Sequence, residues 1–333
     1  MWGLHLLLEG RVTMPASGGP SALSADGVAA LVDRVKLSGF DRARGQPDVI
    51  VDVRGADLYE LGNMWGAVQG GQLNLPTTFS FSANATNDFA VGMVLPFVPT
   101  GVSPFEQVKY LLDAPNYDAL KLEIKFGDVA SCFGSYTTAP TLSAFGSTSG
   151  SPRVRVSGYF ALGGAGRFIG SVPGRYYVTM DEVTGSLIET TAVGRRLLEL
   201  PTGKFLRAIT LKTGVRNTAV SSGNAAYASL SDTILSEIRV YRGLNNIVRY
   251  YPSYRLLKEE AAIMRSRRPA TGYARIDFAG QGALGTSFDA RALTAAATGR
   301  VDFYLAADVS GASNQGLVAI YETFIRPEDR RLR

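Results

Sequence analysis

The side chains that could do chemistry are few. A single histidine, His5, and a single cysteine, Cys132, stand among 333 residues. A Ser-His-Asp or Cys-His device needs an imidazole held on a rigid element, and His5 lies beside the first residues of the chain, where segments are commonly mobile. Zinc fingers, cysteine clusters, histidine-rich metal sites and intrachain disulfide frameworks are excluded. Carboxylates remain. Glycoside hydrolysis needs two acids facing each other from different elements, whereas Asp57 with Glu60, Glu259 with Glu260, and Glu328 with Asp329 are sequence neighbours. Asp128 and Asp308 each close an alternating segment, and oxygen-rich loops there could take Ca2+. The commoner duty of an aspartate in that place is to cap a loop. No acid-base constellation emerges, so the sequence predicts a protein that is not an enzyme and uses no cofactor, with Ca2+ at Asp128 and Asp308 as the one metal candidate.

Binding motifs are equally sparse. Gly164-Ala165-Gly166-Arg167-Phe168-Ile169-Gly170 is followed by Pro173 and Gly174 instead of a helical pattern, which predicts a turn between domains and not a dinucleotide loop. Tyr176-Tyr177 and Tyr250-Tyr251 with Tyr254 could stack on bases or sugars, but tyrosines spaced this way more often pack between sheets or at subunit contacts. The net charge is +5, with 34 Lys and Arg scattered among 29 acids. That pattern provides weak nonspecific attraction to anions and no sequence-specific reader of nucleic acid. The densest basic spots, 265–268 and 326–333, read as solvated surface.

The elements that must carry these residues are strands. Apolar residues make up 46% of the chain and charged residues 19%, a balance that folds. Period-two alternation marks 79–82, then Val91, Met93, Leu95 and Phe97, then Val154 and Val156, and Ala274, Ile276 and Phe278. Gly/Ser/Asn/Pro clusters separate them, and strand-helix-strand crossovers are missing, so the chain reads as antiparallel and all-β. Two helices interrupt it: one from Gly55 with Leu58, Leu61 and Trp65 on a stripe, the other after Pro252 with Leu257, Ala261 and Met264. The longest nearly uncharged apolar stretch, 89–102, is 14 residues long and carries two prolines, too short to span a membrane as a helix. The opening residues 1–9 lack the pattern of a secretory signal and read as an apolar arm.

Three short patterns recur in the same order. Val35-Lys36-Leu37-Ser38-Gly39 matches Thr210-Leu211-Lys212-Thr213-Gly214; Ile50-Val51-Asp52-Val53-Arg54-Gly55 matches Ile238-Arg239-Val240-Tyr241-Arg242-Gly243; and 121–128 matches 301–308. Ordered matches about half a chain apart predict two copies of one β module, at 1–170 and 171–333, with Ile50 to Gly55 superimposing on Ile238 to Gly243. A module of this length with one helix fits a jelly roll better than an immunoglobulin sandwich. The fold class expected is therefore all-β, two tandem jelly-roll sandwiches (a double jelly roll) with one short helix in each.

The order of these segments resembles a known family. Residues 200–214, then Ile238-Arg239-Val240, the helix, 273–278, 301–308 and 316–322, together with 51–59, 108–112 and 120–128 of the first half, are similar to the double-jelly-roll major capsid proteins of tailless icosahedral bacterial viruses with an internal membrane, the corticovirus-like group in particular. The resemblance implies a structural coat protein that assembles in the host cytoplasm and resides in the virion. Its partners would be two further copies in a pseudo-hexagonal trimer, neighbouring capsomers, vertex and minor capsid proteins, and an internal lipid membrane. On such a shell Trp2 and Leu4 of the arm, with Arg330 and Arg331 of the tail, would face the membrane side; the competing expectation is that Leu4 to Val12 forms the first strand. A carbohydrate-binding or carbohydrate-active protein on paired jelly rolls is the alternative, and it would require opposed carboxylates or an aromatic platform.

Overall fold

A computed structural model of the chain describes residues 2–42, 45–65, 79–99, 107–159, 174–184, 195–201, 204–216, 227–242, 246–265, 268–278, 293–294, 303–309 and 313–326. They form two compact units. The first comprises Met1–Pro96, Ala114–Leu162 and Asn217–Ser229, and the second Phe97–Asp113, Gly163–Arg216 and Leu230–Arg333. The boundary expected at residue 170 lies outside the described residues. Residues 107–113 group with the second unit: Tyr110 meets Phe324 edge-on at 5.8 Å between ring centroids, and the carbonyl of Lys109 accepts the N–H of Gly174 at 2.8 Å.

In the first unit, β1 (Gly3–Thr13) lies between β4 (Thr86–Pro96) and the pair β6 (Thr141–Ser143) and β7 (Arg153–Tyr159). The period-two rule sets the register. Leu4, Leu6 and Leu8 stand opposite Leu95, Met93 and Val91, all turned into the core. Each such side chain removed from water contributes about 1.5–3 kcal/mol. A second sheet places β2 (Val32–Asp41) between β3 (Gln46–Val53) and β5 (Tyr117–Phe126). Helix α1 (Gly55–Trp65) follows β3 and buries Leu58 and Leu61. It starts on glycine because a Cβ at Gly55 would lie 2.5 Å from Cβ of Val32.

In the second unit, β17 (Gln315–Ile325) lies between β8 (Arg175–Thr184) and β10 (Phe205–Arg216), and β14 (Tyr273–Asp277) and β15 (Leu293–Thr294) occupy the other edge of β10. The facing sheet runs β13 (Asn246–Tyr251), β12 (Leu235–Arg242), β16 (Phe303–Val309), β9 (Arg195–Glu199). Between them Ile209, Leu211, Ile238, Val240 and Ile276 form one buried cluster. The short strand β11 (Tyr227–Leu230) falls where the chain passes from the first unit to the second. Helix α2 (Tyr254–Arg265) follows β13. The Ser253 hydroxyl caps it by accepting the N–H of Leu256 at 3.1 Å. Lys258, one turn in, donates to both oxygens of Asp232 at 2.9 and 2.8 Å and to the carbonyl of Ala270 at 2.9 Å.

The second unit therefore has two interleaved four-stranded layers, β8-β17-β10-β14 and β9-β16-β12-β13, which is the strand order of a complete jelly roll. Its elements correspond to those of the first unit by pairing: β10 to β1, β14 to β4, β17 to β7, β12 to β2, β13 to β3, β16 to β5 and α2 to α1. This corrects two of the three sequence matches. Ile50 to Gly55 belongs to the strand just before its helix, whereas Ile238 to Arg242 lies in β12, one strand earlier in its module. Val35 to Gly39 lies in β2 and Thr210 to Gly214 in β10, whose counterpart by pairing in the first unit is β1 and not β2. Only 121–126 and 303–308 fall on corresponding strands. Segment 79–82 is not a strand; the Asn87 side chain takes both backbone polar groups of Ser80, at 2.8 and 2.9 Å, in place of a ladder.

Candidate functional site

The chemistry-bearing side chains that the fold gathers were not those singled out by type. Glu322 lies in the middle of β17, fully buried, in a row that crosses four adjacent strands. Arg207 of β10 donates to its Oε2 at 2.9 Å, Arg275 of β14 donates to its Oε1, and the hydroxyl of Tyr176 in β8 donates to Oε2. Arg275 also reaches the hydroxyl of Thr210 at 3.3 Å and Asp277 at 3.5 Å. Both arginine side chains are 2% exposed. Burial and the neighbouring Glu322 charge push the Tyr176 phenol well above its ordinary range, so it stays a donor. Burial alone would lower the Arg275 pKa, but Glu322 and Asp277 overcome it and raise it. The row fastens four strands into one rigid sheet. A charge isolated within the apolar run 316–325 was the sequence signal for it.

The residues expected to bind metal or lipid are dispersed. Asp128 caps a 3-10 turn, Val129–Cys132, by accepting the N–H of Ala130 at 3.2 Å. Asp308 is the penultimate residue of β16, and its side chain lies outside the described residues. Among the described residues no group of three or more His, Cys, Asp or Glu side chains could hold a metal ion. Cys132 is buried, which pushes its thiol pKa far up. Leu4 is 8% exposed and packs into the core of the first unit, so only half-buried Trp2 of the arm pair has surface to offer. Arg330 and Arg331 lie outside the described residues, as does the glycine loop 164–170. Of the paired tyrosines, Tyr176, Tyr177, Tyr251 and Tyr254 are buried and Tyr250 is exposed, which leaves no aromatic platform among them. No helix among the described residues is long and apolar enough to cross a membrane.

Exposed ion pairs lace the outer face of β1. Glu9 accepts from Arg155 at 2.6 Å and Arg153 at 3.2 Å, and Arg11 donates to Asp88 at 2.7 and 2.8 Å. The Arg155 hydrogen bond holds the Glu9 carboxyl below its ordinary 4.5, although partial desolvation opposes it. A depressed carboxylate contributes stability above its unfolded pKa and loses it as pH falls through the folded one. Thermal melts should therefore show the first unit weakening as pH falls below the ordinary 4.5 of this carboxyl, and Glu9→Gln should flatten that slope. An unchanged slope would remove Glu9 from the account.

Two jelly rolls of matching pairing in one chain define the fold as a double jelly roll. The chain is similar to the STIV MCP, of the Sulfolobus Turreted Icosahedral Virus, at 13% identity over 100% of this chain and 90% of that one, with a TM-score of 0.62. It is similar to the capsid protein of PBCV-1 at 11% identity, covering 97% of this chain and 86% of that one, with a TM-score of 0.53. It is also similar to the major capsid protein P2 from Bacteriophage PM2 at 10% identity, covering 97% and 87%, with a TM-score of 0.50. No protein-family model matches the chain, and no curated protein matches its sequence.

Proposed function

We propose that this chain is a major capsid protein, a structural coat subunit without catalytic activity. The observation that carries the reading is the pairing of two jelly rolls within one chain, in an arrangement that matches 86% to 90% of the length of solved viral capsid proteins. Two similar modules per chain give six in a trimer, so a threefold assembly can occupy a nearly sixfold lattice position. The subunit forms pseudo-hexagonal trimers that tile an icosahedral shell with vertex and minor proteins, assembled in the host cytoplasm. Rigid strands locked by the Glu322 row suit a shell, which must transmit load without rearranging.

Multi-angle light scattering of the purified protein should give about 107 kDa, three times 35.6 kDa, with subunits held by broad contacts. A stable monomer at micromolar concentration would count against the capsid reading. The shell encloses a membrane faced by Trp2, Arg330 and Arg331, so trimers should co-sediment with anionic vesicles and lose that binding when Trp2 becomes Ser and both arginines become Gln. Binding that is absent, or indifferent to these changes, removes the membrane from the reading.

A further inference from the structure

The two units differ in a way their shared pairing makes legible. In the second unit β17 is covered along its whole length by β8, from Gly316 opposite Thr184 to Ile325 opposite Arg175, and β16 is covered by β9. The corresponding strands of the first unit are β7 and β5. Among the described residues β7 pairs only with β1, and β5 ends its sheet beside β2.

Burial follows the pairing. All eleven residues of β17 are buried. In β7, five of the six residues from Arg153 to Gly158 are exposed and Val154 is intermediate. This is no solvent-facing design, because the exposed side chains include those aimed inward. Val156, 46% exposed, stands opposite Leu6, and Val154 opposite Leu8, both wholly buried. On β5, half-buried Ile124 and Leu122 stand opposite buried Val35 and Leu37. A strand edge that offers unpaired backbone polar groups beside half-covered core residues is a template for further strands.

We propose that two antiparallel β-strands from a stretch of the same polypeptide ahead of Met1 complete the first jelly roll, one pairing with β7 and the other with β5. The connection in the second unit selects this source. There β9 ends at Glu199 and β10 begins at Phe205, so the strand beside β16 feeds directly into the strand that corresponds to β1, which begins at Gly3. The closing segment is of similar size to Arg175–Glu199, which is 25 residues. Its inward side chains are apolar at alternate positions, to cover Val154, Val156, Leu122 and Ile124. Its outward ones include acids, to meet Arg153, Arg155, Lys121 and Lys125, which are 57% to 72% exposed. The inference rests on the strand pairing and not on the capsid reading.

Two measurements on the protomer test it, and neither depends on trimer formation. The intact mass of the polypeptide from its natural source should exceed 35.6 kDa by the mass of about 25 residues or more, added before Met1 with an alternating apolar pattern. In the 333-residue chain the amides of β7 and β5 should exchange about tenfold or more faster than those of β17 and β16, and in the longer polypeptide they should be protected. A natural chain that starts at Met1 overturns the proposal. So does protection of β7 within the 333-residue chain, which would mean that another of its own segments covers the edge, and so does protection that appears only on oligomerisation, which would mean a second copy does. The mass alone decides if the shorter chain does not fold.

Discussion

Glu322→Ala is expected to destabilise the second jelly roll by about 3–5 kcal/mol, because it leaves two buried guanidinium groups without their shared counter-charge. Arg207 and Arg275 both end on this carboxylate and are 2% exposed, so water cannot replace it without opening the sheet. A loss of that size is a large part of the stability of an ordinary domain. Urea unfolding with tryptophan-independent detection, such as far-ultraviolet circular dichroism, would read it as a lower midpoint. The converse variant sharpens the test. Replacing Glu322, Arg207 and Arg275 together by apolar residues of similar volume should recover most of the loss, since breaking a buried ion cluster costs more than removing it. A Glu322→Ala loss under about 1 kcal/mol, the range of exposed pairs, would contradict the buried row.

Gly272→Val should be nearly as damaging, through the backbone. Gly272 has φ of +77°, and a Cβ there would lie 2.6 Å from the Thr213 carbonyl oxygen and 2.6 Å from Cβ of Leu230. The residue is also a junction. Its N–H donates to Asp232 at 2.6 Å, and its carbonyl accepts from the Thr213 N–H at 2.8 Å and the Tyr254 hydroxyl at 3.0 Å. Strain at positive φ costs about 1–3 kcal/mol, and overpacking against fixed backbone adds about 1–3 kcal/mol. Thermal unfolding should show the midpoint lowered by roughly 10 °C. Gly45→Ala supplies the control, for Gly45 has φ of +61° and nothing within 4 Å of its Cβ position. If the two variants lose equally, the crowding around Gly272 contributes nothing.

The strands that form one face of a core were legible in the sequence, because alternation reports which side chains share a face. Val91, Met93 and Leu95 are buried in line, and the stripes of α1 and α2 bury Leu58, Leu61, Leu257 and Ala261. Whether the second face is also covered was not legible. Arg207, Lys212 and Arg275 alternate with apolar neighbours, the pattern that a strand with one solvated face also shows, yet all are at most 3% exposed. Strand correspondence failed for a related reason: β2 and β10 share an alternating pattern because both are half-apolar strands, and a pattern of period two carries no address within a sheet. Of the candidate site residues, Asp128 took the local duty open to any aspartate at a strand end, capping the turn that follows. Leu4 went to the core because the alternation that begins there continues unbroken to Val12.

The place of β17 in its sheet also governs when this chain can fold. It is the last strand among the described residues, yet it sits between β8 and β10, so that Glu322 stands opposite both Val178 and Ala208. During synthesis the ribosome must release residues 315–325 before that sheet can close, and until then β8 and β10 each wait with an unmatched edge. Pairings this distant in sequence close slowly, and chains waiting with open strand edges are prone to cross-associate. Production at lower temperature or with chaperones would lengthen or shelter that interval, and truncation within 315–325 would leave a chain that cannot leave it.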